Sequence, residues 1–242
     1  MAEEGNKSSS GSKLAPFLVV LSIGLAFTVG FMWQKIRGLE GGTTPTATQN
    51  PQANPTPIAV DANKVDQTNE PFVGNEDAPL TMIYWSDYQC PFCKQVEEDA
   101  VAALYDKYVK TGKLKIVFKD FQFLGEDSTT AALAESAVWE LYPTKFYAWQ
   151  QKMMEMQDAE NSGWGKKSDI MAIVASLGMD STKVSNLMDE KKDEYMKEMD
   201  EDKQEGASLG ITGTPGFIVG TQAIYGAEPQ ASFESIIETQ LK

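Results

Sequence analysis

Leu80-Thr81-Met82-Ile83-Tyr84-Trp85-Ser86-Asp87-Tyr88-Gln89-Cys90-Pro91-Phe92-Cys93 is the stretch that decides how this chain is read. Leu80 to Trp85 is an apolar, partly β-branched and aromatic run that suits a buried strand. Four turn-forming or polar residues lead from it into two cysteines separated by two residues. Val96, Ala100, Val101, Leu104, Tyr105 and Tyr108 then recur at helical spacing, and Gly112 is placed to close that helix. The cysteines therefore fall between a strand and the first turn of a helix. That turn brings two sulfurs within bonding reach, and it puts the first cysteine where unpaired N–H groups and the positive dipole end favour a thiolate. Pro91 fits there because a missing N–H costs little at a helix start. A purely structural disulfide is the weaker reading, since closing so short a loop constrains the unfolded chain little.

The rest of the composition narrows the chemistry. The 242 residues contain no histidine and only two cysteines. Cys–His and Ser–His mechanisms are thereby excluded, as is a zinc site of four Cys and His ligands. No cofactor is expected and no metal site is located, while a calcium or magnesium site of oxygen ligands stays open. A formal net charge of −14 argues against nucleic acid as a partner, which would require a basic face.

Downstream, Lys113 to Phe118 reads as a second strand. From Ser128 to about Ala207 the pattern is mostly helical, with breaks at Pro143, near Ser162-Gly163 and at Gly178. Gly213-Thr214-Pro215-Gly216 precedes a short strand, Phe217 to Val219. Another follows at Gln222 to Tyr225, and a last helix runs from Pro229 to Leu241. Met153, Met154 and Met156 read as core filling, with a surface for unfolded substrates as the alternative. The run Asp189 to Glu205 reads as a solvated helix face.

Upstream, residues 1–13 form a polar tail, expected to be cytoplasmic. Leu14 to Trp33 then runs for 20 residues without a charge, enough at about 1.5 Å per residue to span roughly 30 Å. With Trp33, Lys35 and Arg37 at its edge it reads as an uncleaved signal anchor. A cleaved signal peptide is the alternative, but the run is long for one and no small-x-small site follows directly. Residues 34–70 are expected to be a flexible Thr/Pro-rich linker, with the folded domain at 71–242.

This sequence resembles the DsbA-like branch of thioredoxin-fold oxidoreductases, particularly the membrane-anchored bacterial forms. The resemblance rests on Val73-Gly74-Asn75-Glu76-Asp77-Ala78-Pro79-Leu80 and on Asp87-Tyr88-Gln89-Cys90-Pro91-Phe92-Cys93. It also rests on Phe118-Lys119-Asp120-Phe121 and Ile211-Thr212-Gly213-Thr214-Pro215, and it covers about residues 71–242. It implies an α/β thioredoxin-like core with an inserted helical domain at about 128–207, preceded by one transmembrane helix. Cys90 would be the attacking thiol, Cys93 the buried resolving thiol, and Thr214-Pro215 a cis-proline loop facing them, beside which a substrate strand can pair.

Three departures from the family pattern shape the expectations. Phe92 stands where the strongest oxidants have histidine, and its ring is expected to exclude water beside the sulfur. Tyr84, six residues before Cys90, stands where many relatives have a buried glutamate. Lys119, at the family's basic position, is thus expected to lack a carboxylate partner, with Asp87 the candidate substitute, although an Asp just ahead of a helix more often serves as a cap or turn residue; the two are the candidates for proton-transfer support. The function expected is oxidation of thiols in exported proteins by disulfide exchange, on the outer face of the cytoplasmic membrane. The enzyme would be a monomer, recycled by a quinone-linked membrane partner. The rivals are a reductase or isomerase fed by a membrane electron donor, and a non-catalytic binding or chaperone module.

Overall fold

The structure, a computed structural model, describes residues 60–160, 162 and 164–242. The tail, the Leu14–Trp33 span and residues 34–59 of the linker lie outside them. Among the described residues no helix is long and apolar enough to cross a membrane.

Five strands form one sheet: β1 (Phe72–Val73), β2 (Leu80–Ser86), β3 (Leu114–Asp120), β4 (Gly216–Val219) and β5 (Gln222–Tyr225), in the order β1-β3-β2-β4-β5. All seven residues of β2 are buried. The cause is its central place, with β3 parallel on one side, β4 antiparallel on the other and both faces covered. That is why the strand reads as a continuous apolar run and does not alternate.

Helix α1 spans residues 91–109 without a break, although Glu97–Val101 and Tyr105–Val109 are wound more loosely, as π-helix. Gly112 ends it at φ 72°, with the Lys113 N–H bonding back to the Tyr108 carbonyl. Between β3 and β4 lie α2 (Glu126–Leu141), α3 (Phe146–Met156), α4 (Lys167–Ser176), α5 (Ser181–Glu190) and α6 (Lys192–Ser208). This is the expected insertion, begun two residues earlier and divided once more at Lys191. α7 (Gln230–Gln240) closes the chain.

Side-chain alternation divides the sheet between two cores. Met82, Tyr84, Phe118 and Phe217 face α1 and most of the inserted helices. Ile83, Trp85, Val117 and Ile218 face the other way, where Val60, Ala62 and Val65 cover them. The last three residues correct the linker boundary. Residues 60–70 are part of the domain, held by the Ala62 N–H on the Gly220 carbonyl at 2.7 Å and the Asp66 N–H on Glu205 Oε1 at 2.9 Å. Three small apolar residues among polar ones look like a tether until the sheet face they cover is known.

Two further readings change. Met153 and Met154 are core, as expected, but Met156 is exposed. The Asp189–Glu205 run is not uniformly solvated, because Tyr195, Met199 and Asp202 of α6 are buried.

Candidate active site

Cys90 caps α1 at its N-terminus, with extended backbone (φ −77°, ψ 117°) and Pro91 next. Its carbonyl accepts from the N–H groups of Cys93 at 3.0 Å and Lys94 at 3.2 Å, which fixes the first turn. Both cysteines are free thiols in this structure and both are buried. The Thr214–Pro215 peptide is cis, and its loop meets the motif. The Thr214 carbonyl lies 3.5 Å from Cys90 Sγ, and the Gly226 N–H of the next hairpin donates to the Pro215 carbonyl at 2.9 Å. Cys90, Cys93, Pro91, Thr214 and Pro215 are thus brought together.

The two thiols sit in opposite electrostatic surroundings. Hydrogen bonding from the Cys93 thiol is the largest influence on Cys90. Burial opposes it, while the Thr214 hydroxyl and the N–H groups of Cys93 and Phe92 reinforce it. The result is a Cys90 pKa lowered to about 6. Cys93 is pushed well above an ordinary thiol, first by burial and then by its neighbour Cys90.

Phe92 acts differently from expectation. Its ring turns outward and is exposed, so it does not wall off the sulfur; the contribution of Phe92 to the thiolate is its backbone N–H.

The proton-support candidates are also corrected. Lys119 does not lack carboxylates: Nζ lies 2.7 Å from Asp202, 2.8 Å from Glu205 and 3.2 Å from Glu70. It pairs in register with Trp85, on the face of the sheet away from Cys93, because alternation sends residues 118 and 119 to opposite sides. Asp87 is not its partner. The Asp87 carboxylate is fully buried and accepts from the Gln89 N–H (2.8 Å), the Ser128 hydroxyl (2.6 Å) and the Phe123 and Leu124 N–H groups (3.0 and 3.3 Å). It clasps the loop ahead of the motif, as a turn aspartate does.

Tyr84 is buried behind the pair, its hydroxyl 3.5 Å from the Cys93 carbonyl and its ring stacked on Phe217 at 4.5 Å. Among the buried acids, Glu97 stands one helical turn beyond Cys93 on α1. Burial raises its pKa to about 7 against the opposing hydrogen bonds of Gln150 and Tyr147. The sequence reading missed Glu97, which stands beside Glu98 and Asp99 like part of a solvated face. The available signal was its i+4 spacing from Cys93, on the side of α1 that the sheet buries.

Comparisons with known proteins agree with this geometry. A family model described as thioredoxin matches residues 66–239. The chain is 26% identical over 194 residues to disulfide bond formation protein D of Bacillus subtilis, covering 74% of this chain and 86% of that protein. It is also 26% identical over 168 residues to the probable disulfide bond formation protein D of Bacillus anthracis, covering 65% and 76%. Among solved structures, oxidised BdbD of Bacillus subtilis superposes with a TM-score of 0.68 at 24% identity, over 76% of this chain and 97% of that one. The catalytic domain of Proteus mirabilis ScsC gives a TM-score of 0.60 at 26% identity, over 74% and 93%. The chain belongs to the thioredoxin family and is a DsbA-like thiol–disulfide oxidoreductase.

Proposed function

We propose that this enzyme works as a thiol oxidase outside the cytoplasm, introducing disulfides into exported proteins through Cys90 and Cys93. The observation that carries the reading is the asymmetry of the pair, an acidic thiol at the helix tip and a buried, poorly acidic one behind it. A substrate thiolate attacks Cys90 Sγ of the oxidised pair. The Cys90–Cys93 bond breaks, a mixed disulfide forms, and Cys93 leaves with the electron pair and takes a proton. The second substrate thiolate then attacks the substrate sulfur of the mixed disulfide and releases Cys90 as a thiolate, so the substrate loses two electrons and the enzyme gains them. Stabilising the Cys90 thiolate favours that direction. We assign exchange of the Cys93 proton to Glu97, a buried acid one helical turn further along α1, rather than to Lys119 or Asp87.

The surface around the motif suits an unfolded polypeptide. Among the described residues, four large apolar side chains stand 45–58% exposed: Phe92, Phe123, Met156 and Tyr225. Each is a neighbour, in chain or in register, of a residue of the site. Phe92 is in the motif and the Phe123 N–H is bound by Asp87. Met156 precedes Gln157, which bonds to Cys90, and Tyr225 pairs with Gly216 beside Pro215. Such a rim recognises apolar side chains without regard to sequence.

An oxidising role also requires an oxidising compartment. The Leu14–Trp33 anchor would hold the domain there, and a quinone-linked membrane protein would re-oxidise it. The test is disulfide formation in a reduced, unfolded protein with stoichiometric oxidised enzyme, against Cys90→Ser. Formation lost in the variant is expected. A reduction potential as low as that of cytoplasmic thioredoxins, about −270 mV, would favour the reductase reading instead.

A further inference from the structure

The end of α3 and the start of the redox motif are bonded to each other from both sides. Gln157 is the residue at which α3 stops, with ψ 129°. Its side chain is buried, and Nε2 donates to the carbonyls of Tyr88 at 2.6 Å and Cys90 at 3.1 Å. In return Lys94, the residue after Cys93, extends Nζ to the carbonyls of Glu155 at 3.0 Å and Gln157 at 3.1 Å. It thereby covers helix-end carbonyls that have no partner within α3. One buried amide therefore ties the inserted helices to the carbonyls of the two residues that flank Gln89, just where α1 begins.

Those carbonyls matter to the sulfur. A carbonyl oxygen near a thiolate opposes its charge, and a donor on that oxygen draws part of the opposition away. The same two bonds hold the Cys90 peptide in the orientation that aims the N–H groups of Phe92 and Cys93 at Sγ. We propose that Gln157 is a positioning residue for Cys90, through which the helical insertion sets how well the thiolate is stabilised. The proposal rests on the redox reading above and deepens it.

An amide is what the place demands. Leucine would fill the space without donors, and glutamate would set an acceptor against two acceptors. The experiment compares Gln157→Leu and Gln157→Glu with the parent enzyme. Two equilibria are read: thiolate absorbance against pH, and the Cys90–Cys93 couple against glutathione. In Gln157→Leu both should move together, by about five- to tenfold, as the loss of one or two hydrogen bonds implies. The thiol becomes less acidic and the disulfide less oxidising, and Gln157→Glu should move further in the same direction. Gln157→Asn, an amide on a shorter stem, should fall between leucine and the parent. Variants that melt earlier yet keep the parent's thiol pKa and glutathione equilibrium would make Gln157 a packing residue only and overturn the proposal. A shift toward greater oxidising power would overturn it too. Should the Gln157 variants not fold, Lys94→Met opens the same junction from the other side, and unchanged values there would equally refute it. A parent enzyme whose Cys90 titrates like a free thiol would sink the redox reading itself, whereas an acidic parent indifferent to Gln157 sinks only this inference.

Discussion

At the scale of single residues the site is a problem of where charge is tolerated. Cys90 ionises at about 6 in the folded protein, against 9.0 for an ordinary thiol. The depressed pKa makes the reduced fold more stable above the unfolded thiol's pKa, and this gain is lost as pH falls through about 6. Denaturant titrations of the reduced enzyme and of Cys90→Ser should therefore diverge between pH 6 and 9, by about 1.4 kcal/mol per pH unit at most. Parallel curves would contradict a stabilised thiolate. Glu97 has the opposite sign. Its raised pKa means that the native protein keeps a proton the unfolded chain has lost, so stability declines from about pH 4.5 to about pH 7. Glu97→Gln should match the parent at pH 4.5 and exceed it at pH 8 by up to about 3 kcal/mol. A variant no more stable at pH 8 would mean that Glu97 is solvated. Phe92→His adds a donor, and a positive charge when protonated, at a position already open to solvent. It should lower the Cys90 pKa and raise the reduction potential together, measured by thiolate absorbance and a glutathione equilibrium. A more reducing variant would show that another group controls the sulfur.

At the scale of elements, α6 is read wrongly if judged by charge alone. Its acids and lysines surround a seam of buried residues, and Gly206 lets the helix pass directly over Trp85. A Cβ at Gly206 would stand 2.9 Å from Trp85 Nε1 and 3.2 Å from two ring carbons. The ring cannot easily yield, being fully buried and hydrogen-bonded through Nε1 to the Asp202 carbonyl at 3.1 Å. Gly206→Ala gains about 1 kcal/mol of helix propensity but overpacks the core by ~1–3 kcal/mol. The net expectation is a loss of about 1 kcal/mol in a denaturant midpoint series, and a stabilised variant would show that α6 can shift.

At the scale of the molecule, the domain's chemistry depends on the compartment in which it is held. The domain includes residues 60–70, which leaves at most residues 34–59 for the tether from the Leu14–Trp33 span that the anchor proposal requires. If the span anchors the protein with its N-terminus inside, protease added to spheroplasts should remove the domain while cytoplasmic proteins survive. A domain protected until lysis would place the dithiol among reducing buffers and end the oxidase proposal. Retention of the domain on membranes after high-salt washing, and release only by detergent or protease, is expected on the same reading.

The strand–dithiol–helix unit is legible in the amino-acid order alone, because buried strands, helix starts and Cys-x-x-Cys are set by neighbours in the chain. So are the inserted helices, whose periodicity is local, and Thr214-Pro215 as the loop opposite, through the resemblance to a known family. Which polar groups meet is settled by the packed fold. Lys119 and Phe118 are adjacent in sequence and on opposite faces of β3, so a basic residue that looked unpartnered holds three carboxylates brought from residues 70, 202 and 205. Glu97 became the buried acid, and Gln157 the donor to the Cys90 carbonyl across 67 positions. Val60, Ala62 and Val65 became core. Each of these outcomes depends on contacts between residues far apart in the chain, whose burial and partners are fixed by sheet alternation and helix packing, and no local pattern carries that information.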